Sequence, residues 1–529
     1  MRKSLIAVIV LGLVAAPLAV LAGGAQQPVA ATSDLIEVRV ALPEIVNARF
    51  APGEDMTDNL WTRMWEREYN VKVIVDWISA EYATRLNLAI AANTLPDIFT
   101  ANPVQFSQLV EGRQLRDLQA AYDAYAGPGM RKMMEENAII VDTGRFDGQL
   151  LALPRLHYGY ETMTPFVWAR KDWMEQAGIT ELRSIADLEN MMRTFQRRFG
   201  ARYGIMLERT LYNFFQLAPA FHAYPTIWVD GPGGTIVHGA TLPETRDALA
   251  AWASWYAEGL VRSDFGTLNT QAMLEDAYNG RAGVYAQQNW AGWQVGADMV
   301  RNQGPDSYFM PLDLPSVDGR KVMYPIVFPN GVYNVVRRGY EHPEVLIKLV
   351  NNYIHVLDEA MVQGTMPLEE VLPFNTNDMH HVTGPFKVEF NHYRDIQEVS
   401  RAVSTGVEDL NSGNAYLFYN EIRKYLDHDD LVGLGRYIQM GRRDAPRSSL
   451  VLALDHVDND HLLFTRMFGV PPQEVRDFGT TLQDLLVEGF ARIIIGAEPL
   501  SYYDTLIENW RRAGGDQVTA AVNRMYGNR

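Results

Sequence analysis

Residues 71–99 read VKVIVDWISAEYATRLNLAIAANTLPDIF, and this stretch sets the fold. Apolar residues alternate through 71–77, the period of two that a strand needs. Residues 82–93 then place their apolar side chains at helical spacing, and 95–99 form a short buried strand. Working backward, IEVRVAL at 36–42 is another alternating strand, and 58–69 puts Leu60, Met64 and Trp65 on one helical face. Strand, helix, strand, helix, strand implies parallel βαβ units. In open α/β sheets ligands sit beyond the carboxyl ends of the strands, so Trp77, Ser79, Asn102 and Pro103 mark a candidate mouth.

Working forward, FDGQLLALP at 146–154 predicts a hairpin turning on Asp147-Gly148. A strand at 164–169, a helix opening at Lys171, Asp172 and Trp173, an amphipathic helix at 185–199 and a strand at 203–207 make a second α/β series. No Gly/Ser linker separates it from the first, so two lobes with direct crossings are expected rather than beads on a string. WVDGPGGTIVH at 228–238 is a second hairpin; it lacks a lysine and a serine or threonine at the positions where a phosphate loop needs them. Helices are expected at 243–259, 270–278 and 342–356, and strands at 283–285 and 332–336. From about residue 395 the pattern is dominantly helical, ending in 482–495 and 502–526.

The first 25 residues, MRKSLIAVIVLGLVAAPLAVLAGGA, have a basic start, an apolar run broken by Pro17, and a small-residue exit. They predict a cleaved export signal. The chain of 529 residues contains no cysteine, which excludes disulfides, thiolate metal sites and cysteine nucleophiles. A cysteine-linked lipid anchor is excluded for the same reason, and a diffusing periplasmic protein is expected. The length calls for two or three domains. The net charge of −17, with no dense basic stripe, argues against nucleic acid as a partner.

Searches for catalytic motifs fail: there is no H-E-x-x-H, G-x-S-x-G, G-x-G-x-x-G or Walker-type lysine loop. DHVDNDH at 455–461 has oxygen and imidazole ligands but lacks the glycine and glutamate of a calcium loop, so a solvated loop is expected. The chain is instead rich in aromatics, with 11 Trp, 25 Tyr and 21 Phe. Many must be core, but flat faces beside amides also suit hydroxyl-rich rings. Trp290 and Trp293 follow Gln287-Gln288-Asn289 in this way. The candidate ligand-binding residues are Trp77, Asn102, Tyr158, Tyr160, Trp168, Tyr212, Trp228, Gln288, Trp290, Trp293 and Asn330, the aromatics for stacking and the amides for hydroxyl hydrogen bonds. Arg155 and Arg170 are left out because nothing marks the ligand as anionic. No catalytic residue, metal ligand or cofactor is expected.

The order of several short motifs resembles the extracellular solute-binding proteins of ABC importers, family 1, in the large LplA-like subgroup. Its carriers are Leu95-Pro96-Asp97-Ile98-Phe99, Leu153-Pro154, Trp168-Ala169-Arg170-Lys171-Asp172-Trp173, Ala177-Gly178-Ile179 and Tyr256-Ala257-Glu258-Gly259-Leu260. Asn279-Gly280-Arg281-Ala282-Gly283 and the terminal Glu488-Gly489-Phe490, Ile493 to Gly496, Trp510, Gly514-Gly515 and Val522-Asn523 complete the set. The resemblance implies a bilobal α/β periplasmic-binding-protein fold with discontinuous lobes, a hinge, closure over ligand, and a helical C-terminal part. Lobe 1 is expected at 36–156 and 326–400, and lobe 2 at 157–325 and 401–529. It implies a monomeric, non-enzymatic binder that delivers an oligosaccharide or sugar derivative to an ABC permease. A secreted carbohydrate-active enzyme, or a binder of peptide or another solute, is the alternative. Alginate-binding relatives carry a calcium loop after the helix matching 185–199; Arg197 to Tyr203 offers no oxygen ligands there.

Overall fold

The structure is a computed structural model that describes residues 35–527 apart from 46–49, 156–162, 328–330, 361–362, 364, 375–381, 387–391 and 442–447. Its buried side chains divide into two sets. One draws on residues 38–153 and 333–386, the other on 166–324 and 396–526. The chain passes between the sets around 155–165, 326–332 and 386–396, the discontinuous bilobal pattern of a periplasmic-binding-protein fold.

Lobe 1 is built on five strands: β1 (Ile36–Pro43), β2 (Val71–Ser79), β3 (Ile98–Ala101), β6 (Leu153–Arg155) and β13 (Val332–Val336), in the order β2-β1-β3-β13-β6. β1 runs parallel to β2 and β3, while β13 returns from lobe 2 and inserts antiparallel between β3 and β6. Alternation drives the pairing, since Val38, Val40 and Leu42 face the core. The helix Leu60–Tyr69 covers them with Trp61, Met64 and Trp65, and starts in a capping box on Asn59. Trp61 stacks on Tyr353 at 5.4 Å, and the Trp65 indole donates to Asn352 Oδ1 at 2.9 Å. Buried Asp97 accepts from the Arg39 amide at 2.9 Å and pairs with Arg337, so one carboxylate ties β1 to the end of β13. Between these elements, β4 (Arg145–Phe146) and β5 (Gln149–Leu150) form the expected hairpin. Asp147 and Gly148 both take positive φ, 47° and 79°, as the mirror-image turn of a tight hairpin demands.

Lobe 2 departs from the parallel pattern. Its sheet has three strands, β7 (Pro165–Arg170) between β10 (Val284–Gln288) and β11 (Phe309–Leu312), all antiparallel. Residues 203–207, expected as a strand, make only isolated bridges from Tyr203 to Ala282 and Ile205 to Val261. The central strand is buried on both faces. Phe166 and Trp168 enter one core with the helices Ala291–Gln303, Gly413–His428, Leu431–Met440 and Ser449–Asp458. Val167 and Ala169 enter another with Ile185–Phe199, Pro243–Ala257 and Gln473–Ile494. Gly283, just before β10, lies so close to Trp173 that a Cβ would sit 2.5 Å from the indole.

Smaller pairings finish lobe 2: the hairpin β8 (Trp228–Asp230) with β9 (Ile236–His238), and β12 (Tyr324–Ile326) parallel to β14 (Leu462–Phe464). The expected loop at 455–461 is instead largely helical. Ser449–Asp458 carries His456 inward one turn after Leu452, where its Nε2 lies 2.9 Å from Asp313 Oδ1 and its ring stacks on Tyr324 at 3.9 Å. The stretch 502–526 is two helices kinked at Arg511–Gly515, where Gly514 has φ 127°. No helix among the described residues is long and apolar enough to cross a membrane.

Candidate functional site

Tyr212 and Gln288 are two sequence-named residues that the fold joins side chain to side chain by a hydrogen bond. The chain reaches Tyr212 through a turn held by buried Glu208, whose carboxylate accepts from the amides of Thr210 (3.0 Å) and Tyr212 (3.1 Å) and from the Thr210 hydroxyl. Leu211 adopts φ 60° there and starts the helix Tyr212–Leu217. Asn213 fixes this helix to the sheet, donating to the Ala286 carbonyl at 3.0 Å. The Tyr212 hydroxyl then donates to Gln288 Oε1 at 2.9 Å, at the end of β10. Gln288 Nε2 donates in turn to the Met163 carbonyl at 3.0 Å, beside the crossing to lobe 1. Burial pushes the Tyr212 phenol well above its ordinary range, so it remains a neutral hydroxyl.

A cavity of about 510 Å³ opens beside this pair, lined by Arg209, Thr210, Tyr212, Phe215, Gln483, Asp484 and Val487. Phe215 and Val487 supply apolar surface, and Tyr212, Thr210, Gln483, Arg209 and Asp484 supply polar groups, the mixture that a small polar ligand with apolar faces requires. The helix Gln473–Ile494 that provides one wall also reaches lobe 1, where Arg476 meets Ser107 and Glu111. All of the cavity's lining residues belong to lobe 2, and those on this helix stand seven or more residues beyond Arg476. The cavity's arginine, glutamine and aspartate carry no motif, and in sequence only the aromatic cluster around Tyr212 points to it.

The other expected residues fall into three groups. Trp77 and Asn102 stand where the first strands suggest. Trp77 is half-buried near the end of β2, its ring against Tyr82 at 5.2 Å and under the Arg85 guanidinium at 4.7 Å. Asn102 follows β3 but caps the helix Pro103–Glu111, its Oδ1 accepting from the Gln105 amide at 2.9 Å. Trp290, half-buried, precedes the helix Ala291–Gln303, on which Trp293 lies.

Trp168 and Trp228 are withdrawn from any open surface, which corrects the stacking role expected of them. Trp168 is 0% exposed with its indole N–H donated to the Gln287 and Gln288 carbonyls, because β7 is the central strand and both its faces are covered. Trp228 is buried edge-on against His238, 5.1 Å away. Tyr158, Tyr160 and Asn330 lie outside the described residues. A second cavity, about 420 Å³, lies where the β4–β5 hairpin meets Phe468–Val470 and Tyr526; none of the candidate ligand-binding residues lines it. Among the described residues no group of three or more His, Asp or Glu side chains is placed to hold a metal.

The model of the bacterial extracellular solute-binding protein family matches residues 34–353, more than half of the chain. The chain belongs to that family. Lipoprotein LipO of Bacillus subtilis (strain 168) is 18% identical over 494 residues, 87% of each protein. The HMO-binding, ABC-transporter-associated solute-binding protein of Bifidobacterium longum infantis ATCC 15697 superposes with a TM-score of 0.62 at 14% identity, over 93% of this chain and 98% of that one. The substrate-binding protein FusA of S. pneumoniae, solved with kestose, gives 0.61 at 14% identity, over 93% and 99%. At these identities the superpositions establish the fold, two α/β lobes about a cleft. The family and the two solved relatives are binding proteins rather than enzymes, and the family is extracellular.

Proposed function

We propose that this chain is the periplasmic binding component of an ABC importer, taking an oligosaccharide or sugar derivative between its lobes without chemically altering it. The observation that carries the ligand class is the Tyr212–Gln288 pair beside the 510 Å³ cavity. A phenol, two amides and two aromatic rings there provide donors, acceptors and apolar faces together. A sugar ring presents that same combination, with hydroxyls around its edge and C–H groups on its faces. The HMO-binding relative and the kestose-bound FusA support the same class. Trp290 and Trp77 extend the surface on lobe 2 and lobe 1, and Tyr158, Tyr160, Trp293 and Asn330 belong to the same proposed set.

The lobes run over 36–156 with 326–400, and over 157–325 with 401–529, save that Ile396 and Val399 pack in the lobe 2 core and bring that crossing forward to before residue 396; ligand draws the lobes together by its extra contacts in the closed form. The closed form docks on a cytoplasmic-membrane permease as a monomer. Export through residues 1–25 leaves the protein unanchored, because no cysteine is available for lipid attachment. LipO, in contrast, is named a lipoprotein.

A thermal-shift screen of saccharides, peptides and other solutes, followed by calorimetry on the hits, tests the ligand class. Stabilisation by saccharides alone is expected; stabilisation by peptides alone overturns it. Hydrolysis of any saccharide hit by the purified protein would restore the enzyme reading. Fractionation and the mature N-terminus test the location, and a lipid-modified or uncleaved product refutes it.

A further inference from the structure

Residues 465–476 leave lobe 2, touch lobe 1 and return. On the lobe 2 side, the Trp228 amide donates to the Thr465 hydroxyl at 3.2 Å, the Arg466 amide donates to the Trp228 carbonyl at 2.7 Å, and Arg466 pairs with Asp230. The next residues face lobe 1. Gly469 lies against Thr143, so closely that a Cβ would sit 3.2 Å from its methyl group, and Val470 packs into the lobe 1 core with Leu115, Leu151 and Tyr333. The Tyr526 hydroxyl, from the last helix of lobe 2, donates to the Val470 carbonyl at 2.7 Å. Pro471 and Pro472 then stiffen the chain before the helix Gln473–Ile494 begins.

In the first turn of that helix, the Arg476 side chain is only 8% exposed although it carries a full charge. Its Nη1 donates to Ser107 Oγ at 2.6 Å and to the Pro471 carbonyl at 3.1 Å; its Nη2 donates to Glu111 Oε1 at 3.1 Å and to Gln473. Ser107 in turn donates to Glu111 Oε1 at 3.2 Å. Ser107 and Glu111 lie on the helix Pro103–Glu111, which Asn102 caps at the end of β3. The helix bearing Arg476 is rooted in lobe 2, where Glu474 pairs with Arg524 and Leu482, Leu486 and Phe490 are core, and it carries the cavity residues Gln483 and Asp484.

We propose that Arg476 is a positioning residue that clasps lobe 2 to the lobe 1 helix Pro103–Glu111 and so sets the width of the cleft. The planar guanidinium fits this task, since its fixed fork satisfies a hydroxyl, a carbonyl and a carboxylate at once, which a lysine cannot reproduce. Movement of the lobes about their crossings must break or carry along this clasp, because its two ends belong to different cores. Only its consequence for affinity rests on the proposed cleft; the clasp itself concerns the protein without ligand.

The test uses the full mature chain. Because there is no native cysteine, Glu66→Cys on lobe 1 and Arg197→Cys on lobe 2 accept spin labels at those two sites only. Arg476→Ala and Glu111→Gln are each expected to shift and widen the interlobe distance distribution, and the double variant to go no further than Arg476→Ala alone. Arg476→Lys should restore it only in part. Unchanged distributions, or fully additive single effects, overturn the clasp. Circular dichroism identifies a variant that fails to fold; Glu111→Gln, altering the 62% exposed partner, then decides by itself. Binding of a saccharide hit is expected to weaken about fivefold in Arg476→Ala. If distances shift and no saccharide binds the unaltered protein, the ligand class fails and the clasp stands; if saccharides bind and distances do not move, the reverse holds.

Discussion

Lobe 1 hangs its helices on a five-stranded sheet, and the carboxyl ends of its parallel strands point at the places where Trp77 and Asn102 stand. The main sheet of lobe 2 has three antiparallel strands, and its central strand is wrapped on both faces by helices. The consequence is chemical. A strand-end aromatic stays partly exposed in lobe 1, whereas Trp168 on the central strand of lobe 2 is consumed by the core. The groups proposed for ligand in lobe 2 therefore come from the start of a short helix, Tyr212, from the far end of an outer strand, Gln288, and from the long helix that returns from lobe 1.

The largest effects test whether the two cores are separate units. Trp61→Ala in lobe 1 and Trp252→Ala in lobe 2 each remove a fully buried indole, and each should cost about 3–5 kcal/mol. Calorimetry is expected to show each variant lowering a different transition; a single transition lowered equally by both would mean the cores unfold as one. Lobe 2 alone should be acid-sensitive through His238, wedged between Trp228 and Trp510 with no partner for its Nδ1. Burial lowers this imidazole to about 4 from its usual 6.5. The unfolded chain therefore takes the proton first as pH falls. Stability from this group is full above pH 6.5 and drains away toward pH 4, by up to about 3 kcal/mol. Urea unfolding at pH 7 and pH 4.5 should show that loss, and His238→Phe should flatten it; an unchanged slope in the variant would assign the sensitivity elsewhere.

Binding sharpens the comparison further. Tyr212→Phe keeps the ring but leaves Gln288 Oε1 without its phenolic donor, and should weaken saccharide binding about tenfold by calorimetry. Trp77→Ala asks the same of lobe 1, and a larger loss there would make lobe 1 the dominant half of the site. The smallest effects are the caps: Asn59→Ala in lobe 1 and Ser184→Ala in lobe 2 should each cost about 1 kcal/mol in urea unfolding.

Lobe 1 was the more legible half because its signals are local. Alternation in 36–42 and 71–77, the Asp147-Gly148 turn and the strand at 332–336 all depend on residues a few positions apart, and the structure places strands and a hairpin there. In lobe 2 the helices at 185–199 and 270–278 were equally plain. Residues 203–207 have strand composition, but only bridges form, to Ala282 and Val261. DHVDNDH reads as loop by composition, yet the helix period carries His456 into a column of rings beside Phe166 and Tyr324. The proposed site was only partly legible: strand ends and crossings pointed to Tyr212 and Gln288, which the fold joins, but also to Trp168 and Trp228, whose faces are buried. Arg209, Gln483 and Asp484 had no signal, since exposed polar residues have ordinary composition wherever they stand.

The amino-acid sequence by itself determined the periods of the strands and helices, the turn at Asp147-Gly148, the absence of thiol chemistry and the order of motifs that marks the family, because each is set by neighbouring residues or by composition. Tertiary structure decided which aromatic faces remain open, how β13 enters between β3 and β6, and that one long helix both lines the cavity and grips the opposite lobe through Arg476. Those outcomes depend on contacts between residues hundreds of positions apart. Burial and cleft geometry follow from how the elements pack together, which local spacing does not encode.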